Sequence, residues 1–190
     1  MLSISYLDVS DIATDVALNY VSKERADKIK RLKNKNSKKE SAGAELLLLS
    51  MFAALFPHEP FPPKICQKRY QKPYFEDYKN LYFNLSHSNM CAACVISDKP
   101  VGIDIQYMKD FDEKLSQRFF TLDEQNFYKN AHNKKAAFYE IWTKKEALLK
   151  CLGTGLGEIS SKSIFDAQKE GYVFKIEVFD NFTMCVCQKE

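Results

Sequence analysis

Short stretches of apolar residues alternate with polar ones through the first half of the chain, and two longer segments have helical spacing. Residues 4–8 predict a first strand. Residues 16–32 and 38–56 predict helices, because their apolar residues recur at intervals of three and four, and Pro57 ends the second helix. Further apolar stretches predict strands at residues 65–68, 81–85 and 91–97.

The second half begins after the turn at residues 98–100 and contains the same kinds of segment. Residues 101–106 predict a strand, and residues 134–152 predict a long helix that glycines end. Thr121 precedes Glu124 by three residues, which is the spacing of a capping box. The other predicted elements are short helices at residues 114–119 and 123–129 and antiparallel strands at residues 163–165, 172–179 and 183–187.

This order of elements is not the regular strand–helix repeat of a parallel sheet, so the predicted fold class is α+β. The two halves resemble each other in the order of their elements. We therefore expect two similar lobes with pseudo-twofold symmetry, each a small antiparallel sheet packed with helices, at residues 1–98 and 99–190. A chain of two lobes is expected to bind its ligand at their junction.

The composition fits a folded protein, because 45% of the 190 residues are hydrophobic and 13% are aromatic. The N-terminus lacks the pattern of a signal peptide, and the longest apolar stretch, near residues 46–49, is too short for a bilayer. We expect a cytoplasmic protein with free thiols and no membrane partner. Cys91 and Cys94 are not expected to share a metal, because residues three apart on a strand point to opposite faces.

Charge is unevenly distributed along a chain whose net charge is +3. Residues 23–39 contain nine Lys or Arg against Glu24 and Asp27, a local charge of +7, so the other residues together carry −4. One interpretation is a solvated helix face, and another is a site for a polyanionic ligand. A nucleic-acid-binding module is the alternative from a different functional class, and it predicts a steep loss of affinity with salt.

Alternation along residues 101–106 separates apolar from polar side chains. The apolar residues form one face of the strand, whereas Asp104 and Gln106 share the other face, where Gly102 leaves space. A carboxylate and an amide oxygen side by side are hard ligands that suit Mg²⁺. The alternative is an ordinary, half-exposed edge strand.

The predicted helix at residues 134–152 carries charged residues within and beside its apolar stripe. Lys145 lies seven residues after Phe138, within about 20° of it around the helix, and is therefore part of the stripe. A lysine in this position is costly unless an anion meets it. Glu146 and Lys150 are four residues apart on the shoulder of the stripe, which an ordinary helical salt bridge also explains.

Residues 83–88, Phe-Asn-Leu-Ser-His-Ser, predict a strand that runs into a polar turn. Hydroxyls, an imidazole and turn amides are together good phosphate ligands. A Ser/His nucleophile pair is the alternative, but adjacent residues do not easily form its hydrogen bond, and the sequence has no Gly-x-Ser-x-Gly motif. We therefore favour phosphate binding over hydrolysis.

Four motifs, in their order and spacing, resemble those of the Sfp-type 4′-phosphopantetheinyl transferases, a two-lobed family that activates carrier proteins. They are Gln71-Lys72-Pro73, Phe83-Asn-Leu-Ser-His-Ser88, Val101-Gly-Ile-Asp104 and Trp142-Thr-Lys-Lys-Glu-Ala147 with Lys150. The resemblance covers roughly residues 20–160. It implies transfer of the 4′-phosphopantetheine moiety of coenzyme A to a serine of an apo acyl or peptidyl carrier protein, with release of 3′,5′-ADP.

The resemblance also implies a role for each matching residue. Asp104 and Glu146 would hold Mg²⁺ against the pyrophosphate, and Lys150 would contact the transferred phosphate. Glu146 would also receive the proton of the attacking serine. The residues implied in coenzyme A binding are Lys28 and Arg31 at the 3′-phosphate, Lys72 at the adenosine end, Ser86 and His87 at the nucleotide phosphates, and Ser41 and Lys145 as further contacts.

The chain departs from the family pattern at two positions. Many relatives carry Glu where this chain has Gln106, and many carry Arg where this chain has Glu40, the residue before Ser41. We expect Gln106 to belong to the metal site but to serve the metal indirectly. Two lobes in one chain favour a monomer. We expect no nucleic-acid partner, because that alternative leaves Asp104, Glu146 and Lys145 unexplained. A protein that binds coenzyme A without catalysis is the remaining alternative, and the complete metal set argues against it.

Overall fold

The structure, a computed structural model, describes residues 1–68 and 71–190. The chain divides into two units, Met1–Lys99 and Pro100–Glu190, which we call unit 1 and unit 2. Among the described residues, no helix is long and apolar enough to cross a membrane. The six cysteines all carry free thiols.

Unit 1 is built around a three-stranded antiparallel sheet. Its elements are β1 (Leu2–Asp8), α1 (Thr14–Ala17), α2 (Lys23–Arg31), α3 (Lys35–Leu55), β2 (Ile65–Cys66), β3 (Tyr74–Phe75), β4 (Tyr82–Ser88) and β5 (Cys91–Ser97). The sheet has the order β1-β5-β4, while β2 and β3 form a separate two-stranded ladder. Every residue of the central strand β5 is buried, because strands cover both of its edges and α3 packs against it.

The core of unit 1 lies between α3 and this sheet. Leu48 and Phe52 of α3 pack with Phe83 of β4 and Ile96 of β5, and all four side chains are at most 2% exposed. Burial of each such side chain contributes about 1.5–3 kcal/mol. The helical spacing of apolar residues in the predicted segment 38–56 therefore corresponds to a face that the sheet covers.

Unit 2 has the same kind of architecture. Its elements are β6 (Val101–Tyr107), α4 (Lys114–Phe119), α5 (Leu122–Asn130), α6 (Lys134–Leu152), a 3₁₀ turn (Leu156–Glu158), α7 (Ile164–Lys169), β7 (Tyr172–Phe179) and β8 (Phe182–Lys189). The antiparallel sheet has the order β6-β8-β7, and α6 packs against β6 and β8. Two small antiparallel sheets, each packed with helices, confirm the predicted α+β class.

The backbones of β6 and α6 approach each other closely at Gly102. A Cβ atom at this position would lie 2.1 Å from the carbonyl oxygen of Ala147 and 2.4 Å from the backbone nitrogen of Cys151. Only glycine fits such an approach. At the end of the same helix, Gly153 adopts a left-handed conformation with φ of 77°, which explains why α6 ends where the sequence predicts.

Two predicted elements are wrong, in both cases because a serine begins a helix. Residues 16–32 contain two helices instead of one, because Ser22 caps α2 through its side chain. Residues 163–165 begin α7 instead of forming a strand, because Ser163 accepts hydrogen bonds from the first N–H groups of that helix. Serine hydroxyls satisfy N–H groups that the helix itself leaves without partners.

The polar turn predicted at the end of residues 83–88 is also wrong. Strand β4 continues through Ser88, and the chain turns at Asn89 and Met90, whose φ angles are 46° and 65°. Ser86 and His87 are therefore neighbours within a strand, so their side chains point to opposite faces of the sheet.

Candidate active site

Asp104 of β6 and Lys150 of α6 form an ion pair in unit 2. The ammonium nitrogen of Lys150 lies 2.6 Å from Asp104 Oδ1. The side chain of Asp104 is 1% exposed, whereas that of Lys150 is 27% exposed, so the pair extends from the interior to the surface. The close backbone approach at Gly102 brings strand and helix near enough for this contact.

Gln106 shares a face of β6 with Asp104, as the alternation predicts. Its amide nitrogen donates a hydrogen bond to Asp104 Oδ2 at 2.9 Å. Lys150 contacts Oδ1 and Gln106 contacts Oδ2, so both oxygens of Asp104 are oriented by protein donors. This contact fits the predicted indirect role of Gln106, because the amide would hold the carboxylate of Asp104, the predicted metal ligand, in place.

Glu146 is a second buried carboxylate, 8% exposed, on α6. Burial, followed by the nearby negative charge of Asp104, raises the pKa of Glu146 to about 7, and Lys150 opposes this shift. Repulsion between two buried carboxylates favours a cation that both can bind.

The donor set fits a magnesium ion that is bound together with a phosphate ligand. Mg²⁺ is usually held by one or two carboxylates, with water and substrate phosphates completing its coordination. Within residues 1–68 and 71–190, no group of three or more His, Cys, Asp or Glu side chains could hold a metal. Asp104 and Glu146 could supply two ligands, with phosphate oxygens and water as the others.

Lys145, which the sequence predicts as a cofactor-binding residue, is an interior residue, and this prediction is wrong. It is 1% exposed, and its ammonium nitrogen lies 2.6 Å from both Glu124 Oε2 and the carbonyl oxygen of Lys162. Glu124 also accepts hydrogen bonds from the backbone N–H groups of Thr121 and Ile164. The anion that this lysine requires is Glu124, and the buried pair joins α5, α6 and the start of α7.

A cleft of about 200 Å³ in unit 1 brings together Lys28 of α2 and His87 of β4, two of the predicted coenzyme A-binding residues. Partial loss of water around its ammonium, followed by repulsion from Arg25, lowers the pKa of Lys28, and Glu45 opposes this shift. The cleft thus contains two cations, Arg25 and Lys28, together with the carboxylate of Glu45, which is paired with Arg25. The cleft is also lined by Ser22, Glu24, Cys66, Gln67, Pro73 and Asn84.

Three other predicted residues of unit 1 lie in different environments. Arg31 lines a second groove of α2 together with Lys28, Glu24 and Asp27. Ser41 is 2% exposed within α3, and its hydroxyl accepts a hydrogen bond from Arg25 Nη1 at 3.4 Å. Lys72 lies in the segment of the chain that connects β2 and β3, and it is partly buried. Ser41 is therefore not a lining residue of the cleft, but it contacts Arg25, which is one.

His87 contacts Glu40, the residue at which the chain departs from the family pattern. Glu40 Oε2 lies 3.3 Å from His87 Nδ1, and Glu40 Oε1 accepts a hydrogen bond from the backbone N–H of Met90 at 2.9 Å. A carboxylate beside Nδ1 fixes the orientation of the ring. Ser86 lies on the other face of β4 and is buried, so the structure separates the two neighbours that the sequence assigned to one phosphate site.

Two charged residues of the cleft, Arg25 and Glu45, are missing from the sequence-based prediction. The guanidinium Nε of Arg25 lies 2.7 Å from Glu45 Oε2, and the Glu45 side chain is 2% exposed. A signal for Glu45 exists in the sequence, because it lies in the otherwise apolar helical segment 42–49. A buried carboxylate requires a partner, by the same reasoning that singles out Lys145.

A family model described as the 4′-phosphopantetheinyl transferase superfamily matches residues 100–184, the segment that contains Asp104, Glu146 and Lys150. Similarity to curated proteins covers most of the chain. The 4′-phosphopantetheinyl transferase Sfp of Bacillus subtilis (strain 168) is 25% identical over 186 residues, which cover 90% of this chain and 83% of that protein. The chain belongs to the 4′-phosphopantetheinyl transferase superfamily.

Other members of the superfamily show the same relationship. A 4′-phosphopantetheinyl transferase of Bacillus subtilis is 28% identical over 167 residues, 87% of this chain and 74% of the relative. The 4′-phosphopantetheinyl transferase gsp of Aneurinibacillus migulanus is 33% identical over 140 residues, 72% of this chain and 57% of the relative. The superfamily model matches a segment of unit 2, whereas the longer similarities also include residues of unit 1.

Proposed function

We propose that this chain is an Sfp-type transferase that moves the 4′-phosphopantetheine moiety of coenzyme A to a serine of an apo acyl or peptidyl carrier protein, with Mg²⁺ as cofactor. The Asp104–Lys150 ion pair beside the buried Glu146 carries this proposal. These residues lie in the segment that the superfamily model matches.

The reaction exchanges one phosphorus–oxygen bond for another. The serine hydroxyl oxygen bonds to the β-phosphorus of coenzyme A, the bond from that phosphorus to the bridging oxygen breaks, and 3′,5′-ADP leaves with the electron pair. The hydroxyl proton passes to Glu146. Phosphoryl transfer requires little covalent chemistry from the protein, so positioning and charge stabilisation account for most of the catalysis.

The residues of unit 2 provide that positioning. Asp104 and Glu146 would hold Mg²⁺, which when bound neutralises negative charge on the pyrophosphate. Gln106 and Lys150 hold the two oxygens of Asp104 in place. Lys150 is the more exposed partner of its ion pair, and it contacts the phosphate that is transferred.

The residues of unit 1 bind the nucleotide half of coenzyme A. Lys28 and His87 line one cleft, and Lys28 and Arg31 line the adjacent groove, so that the 3′-phosphate meets cations of α2. Lys72 contacts the adenosine end. The local charge of +7 over residues 23–39 suits coenzyme A, which is a small polyanion, and carrier proteins, which are usually acidic. We propose a monomer, because one chain contains both sets of residues.

The test is an assay of the purified protein with coenzyme A, Mg²⁺ and apo carrier proteins from fatty acid, polyketide and nonribosomal peptide synthesis. Mass spectrometry should show one added phosphopantetheine arm on the carrier serine. Asp104→Asn and omission of Mg²⁺ with EDTA present are the controls, and both should abolish the modification.

Other outcomes would contradict the proposal in recognisable ways. Coenzyme A binding without modification of any carrier in the panel would favour a binding protein without catalysis. Tight, strongly salt-dependent binding of nucleic acid, together with weak binding of coenzyme A, would favour the nucleic-acid interpretation of residues 23–39.

A further inference from the structure

Glu45 is a buried acid of unit 1 whose two oxygens both contact the beginning of α2. The residue is 1% exposed and lies within α3. Its Oε1 accepts a hydrogen bond from the backbone N–H of Ser22 at 2.5 Å, and its Oε2 accepts one from Arg25 Nε at 2.7 Å. A buried carboxylate is tolerated when it is paired and hydrogen-bonded in this way.

These contacts determine where α2 begins. Ser22 is the N-cap of α2, and its hydroxyl accepts a hydrogen bond from the backbone N–H of Arg25 at 3.2 Å. Glu45 holds the backbone of the same capping residue from the neighbouring helix, as the glutamate of a capping box does within one helix. The first turn of α2 is thus attached to α3 by the cap and by the Arg25 side chain together.

Arg25 connects this attachment to the cleft. Its guanidinium contacts Glu45 through Nε and Ser41 through Nη1, and the residue lines the cleft with Lys28. Nη2 is the end of the guanidinium that neither of these two contacts uses. Lys28 follows Arg25 by three residues, so both side chains project from the same side of α2.

We propose that Glu45 is a positioning residue for the coenzyme A cleft: by fixing Ser22 and Arg25, it orients the Arg25 and Lys28 cations toward the phosphate groups of the ligand. The proposal rests on the proposed function. Glu45 is one of the residues that line the cleft, but it is almost completely buried and both of its oxygens are engaged by Ser22 and Arg25, so we assign it no direct contact with the ligand. Its loss should therefore weaken binding of coenzyme A and leave the chemical step unchanged.

The experiment measures KM for coenzyme A and kcat for Glu45→Gln, Arg25→Ala and the double variant. Glutamine retains the size of the side chain but removes the charge that holds Arg25. We expect Glu45→Gln to raise KM about tenfold, with kcat within about twofold of the wild type. In the Arg25→Ala background the same change should have a smaller effect, because only the contact between Glu45 and Ser22 remains to be lost. Glu45→Asp should recover part of the loss.

A matched control separates positioning from general loss of stability. Leu48 lies three residues after Glu45 in α3 and is fully buried in the core. Leu48→Ala should lower the melting temperature by as much as Glu45→Gln or more, while KM for coenzyme A stays unchanged.

Three results would overturn the inference: an unchanged KM in a folded Glu45→Gln variant, a full additional rise in the Arg25→Ala background, or an equal rise for Leu48→Ala. If Glu45→Gln does not fold, an unchanged KM for Arg25→Ala, which removes the residue through which Glu45 acts, overturns it equally. Failure of the wild-type protein to modify any carrier would refute the proposed function itself. This failure can be told apart from failure of the inference about Glu45, because it is seen without any variant.

Discussion

Lys150 and Asp104 are joined by a 2.6 Å contact in which only the lysine reaches the surface. The pair brings one positive charge to a site with two carboxylates, because Glu146 lies close enough to Asp104 for their repulsion to be felt. Lys150 offsets one of the two negative charges when both acids are ionised. A divalent cation that arrives with an anionic ligand can offset the other.

Loss of the Glu146 carboxylate should abolish transfer and leave the fold intact. Glu146→Ala removes one of two proposed metal ligands, so we expect initial rates to fall by about 100-fold or more. Thermal stability should be equal or higher, because a carboxylate that is costly to bury has been removed. Glu140→Ala removes an acid of the same helix that pairs with Lys144 and should leave the rate unchanged. Transfer within a few-fold of the wild type at ordinary Mg²⁺ would show that the metal assignment is wrong.

Stability of the metal-free protein should fall with rising pH because of Glu146. Its pKa is raised from 4.5 to about 7 in the folded state, so between these values the unfolded chain binds fewer protons than the folded one. This contribution is present in full below about pH 4.5 and is lost as pH rises through about 7, a total of about 3 kcal/mol. Urea unfolding in EDTA should therefore show that Glu146→Gln gains stability relative to the wild type between pH 5 and pH 8. A difference that does not depend on pH would contradict the raised pKa.

Substitutions at Gln106 should have smaller effects than substitutions at Asp104. Gln106→Ala removes the donor that orients Asp104 Oδ2, so we expect a loss of activity of about 10-fold, the lower limit for an outer partner of a metal ligand. Gln106→Glu should tighten Mg²⁺ or leave activity similar, while Asp104→Ala should be far worse than either. Transfer rates of the three variants as a function of Mg²⁺ concentration test this order. Equal inactivity of Gln106→Ala and Asp104→Ala would make the amide a direct ligand or a coenzyme A contact.

The cations of α2 should distinguish coenzyme A from its 3′-dephospho form. Lys28→Ala combined with Arg31→Ala should raise KM for coenzyme A more than KM for dephospho-coenzyme A, because only the former carries the 3′-phosphate. Lys23→Ala combined with Lys30→Ala removes the same charge from exposed positions of the same helix and is the control. Equal losses for both ligands would exclude the role at the 3′-phosphate.

The buried Lys145–Glu124 pair should matter for stability and not for ligand affinity. Lys145→Met leaves the Glu124 carboxylate buried without its partner, at a cost of about 3–5 kcal/mol in the free energy of unfolding. Adding Glu124→Gln should recover part of this loss, because the neutral amide removes the buried charge and its oxygen can still accept from one of the two N–H groups, that of Thr121 or that of Ile164. Urea unfolding measures both effects. A raised KM for coenzyme A at unchanged stability would restore Lys145 as a cofactor contact.

The sequence predicts those features that depend on local periodicity. Alternation along β6 places Asp104 and Gln106 on one face, and the structure joins them by a hydrogen bond. Helical spacing with a terminal glycine predicts both ends of α6. The same patterns do not reveal where α2 begins. Its start depends on a hydrogen bond from the backbone N–H of Arg25 to the Ser22 hydroxyl, and hydropathy carries no information about that bond.

Partners that are distant in the chain are harder to predict. The position of Lys145 in an apolar stripe indicates that an anion must meet it, but the pattern does not distinguish a phosphate from Glu124, which lies 21 residues away. The position of Glu45 likewise indicates that it needs a partner, but the pattern does not identify that partner as Arg25, which lies 20 residues earlier. Such choices depend on how helices pack against each other, and that packing is a property of the whole unit.

Gly102 also constrains how the site can vary among sequences. The obstacles to a side chain at this position are a carbonyl oxygen and an amide nitrogen of the main chain, and every amino acid at positions 147 and 151 carries the same two atoms. No second substitution can therefore make room for an alanine at position 102. Accommodation would require α6 to move away from β6, and Glu146 and Lys150 would move with it, away from Asp104. Substitution at position 102 therefore cannot be compensated by changes in neighbouring side chains, which is how most buried positions come to vary.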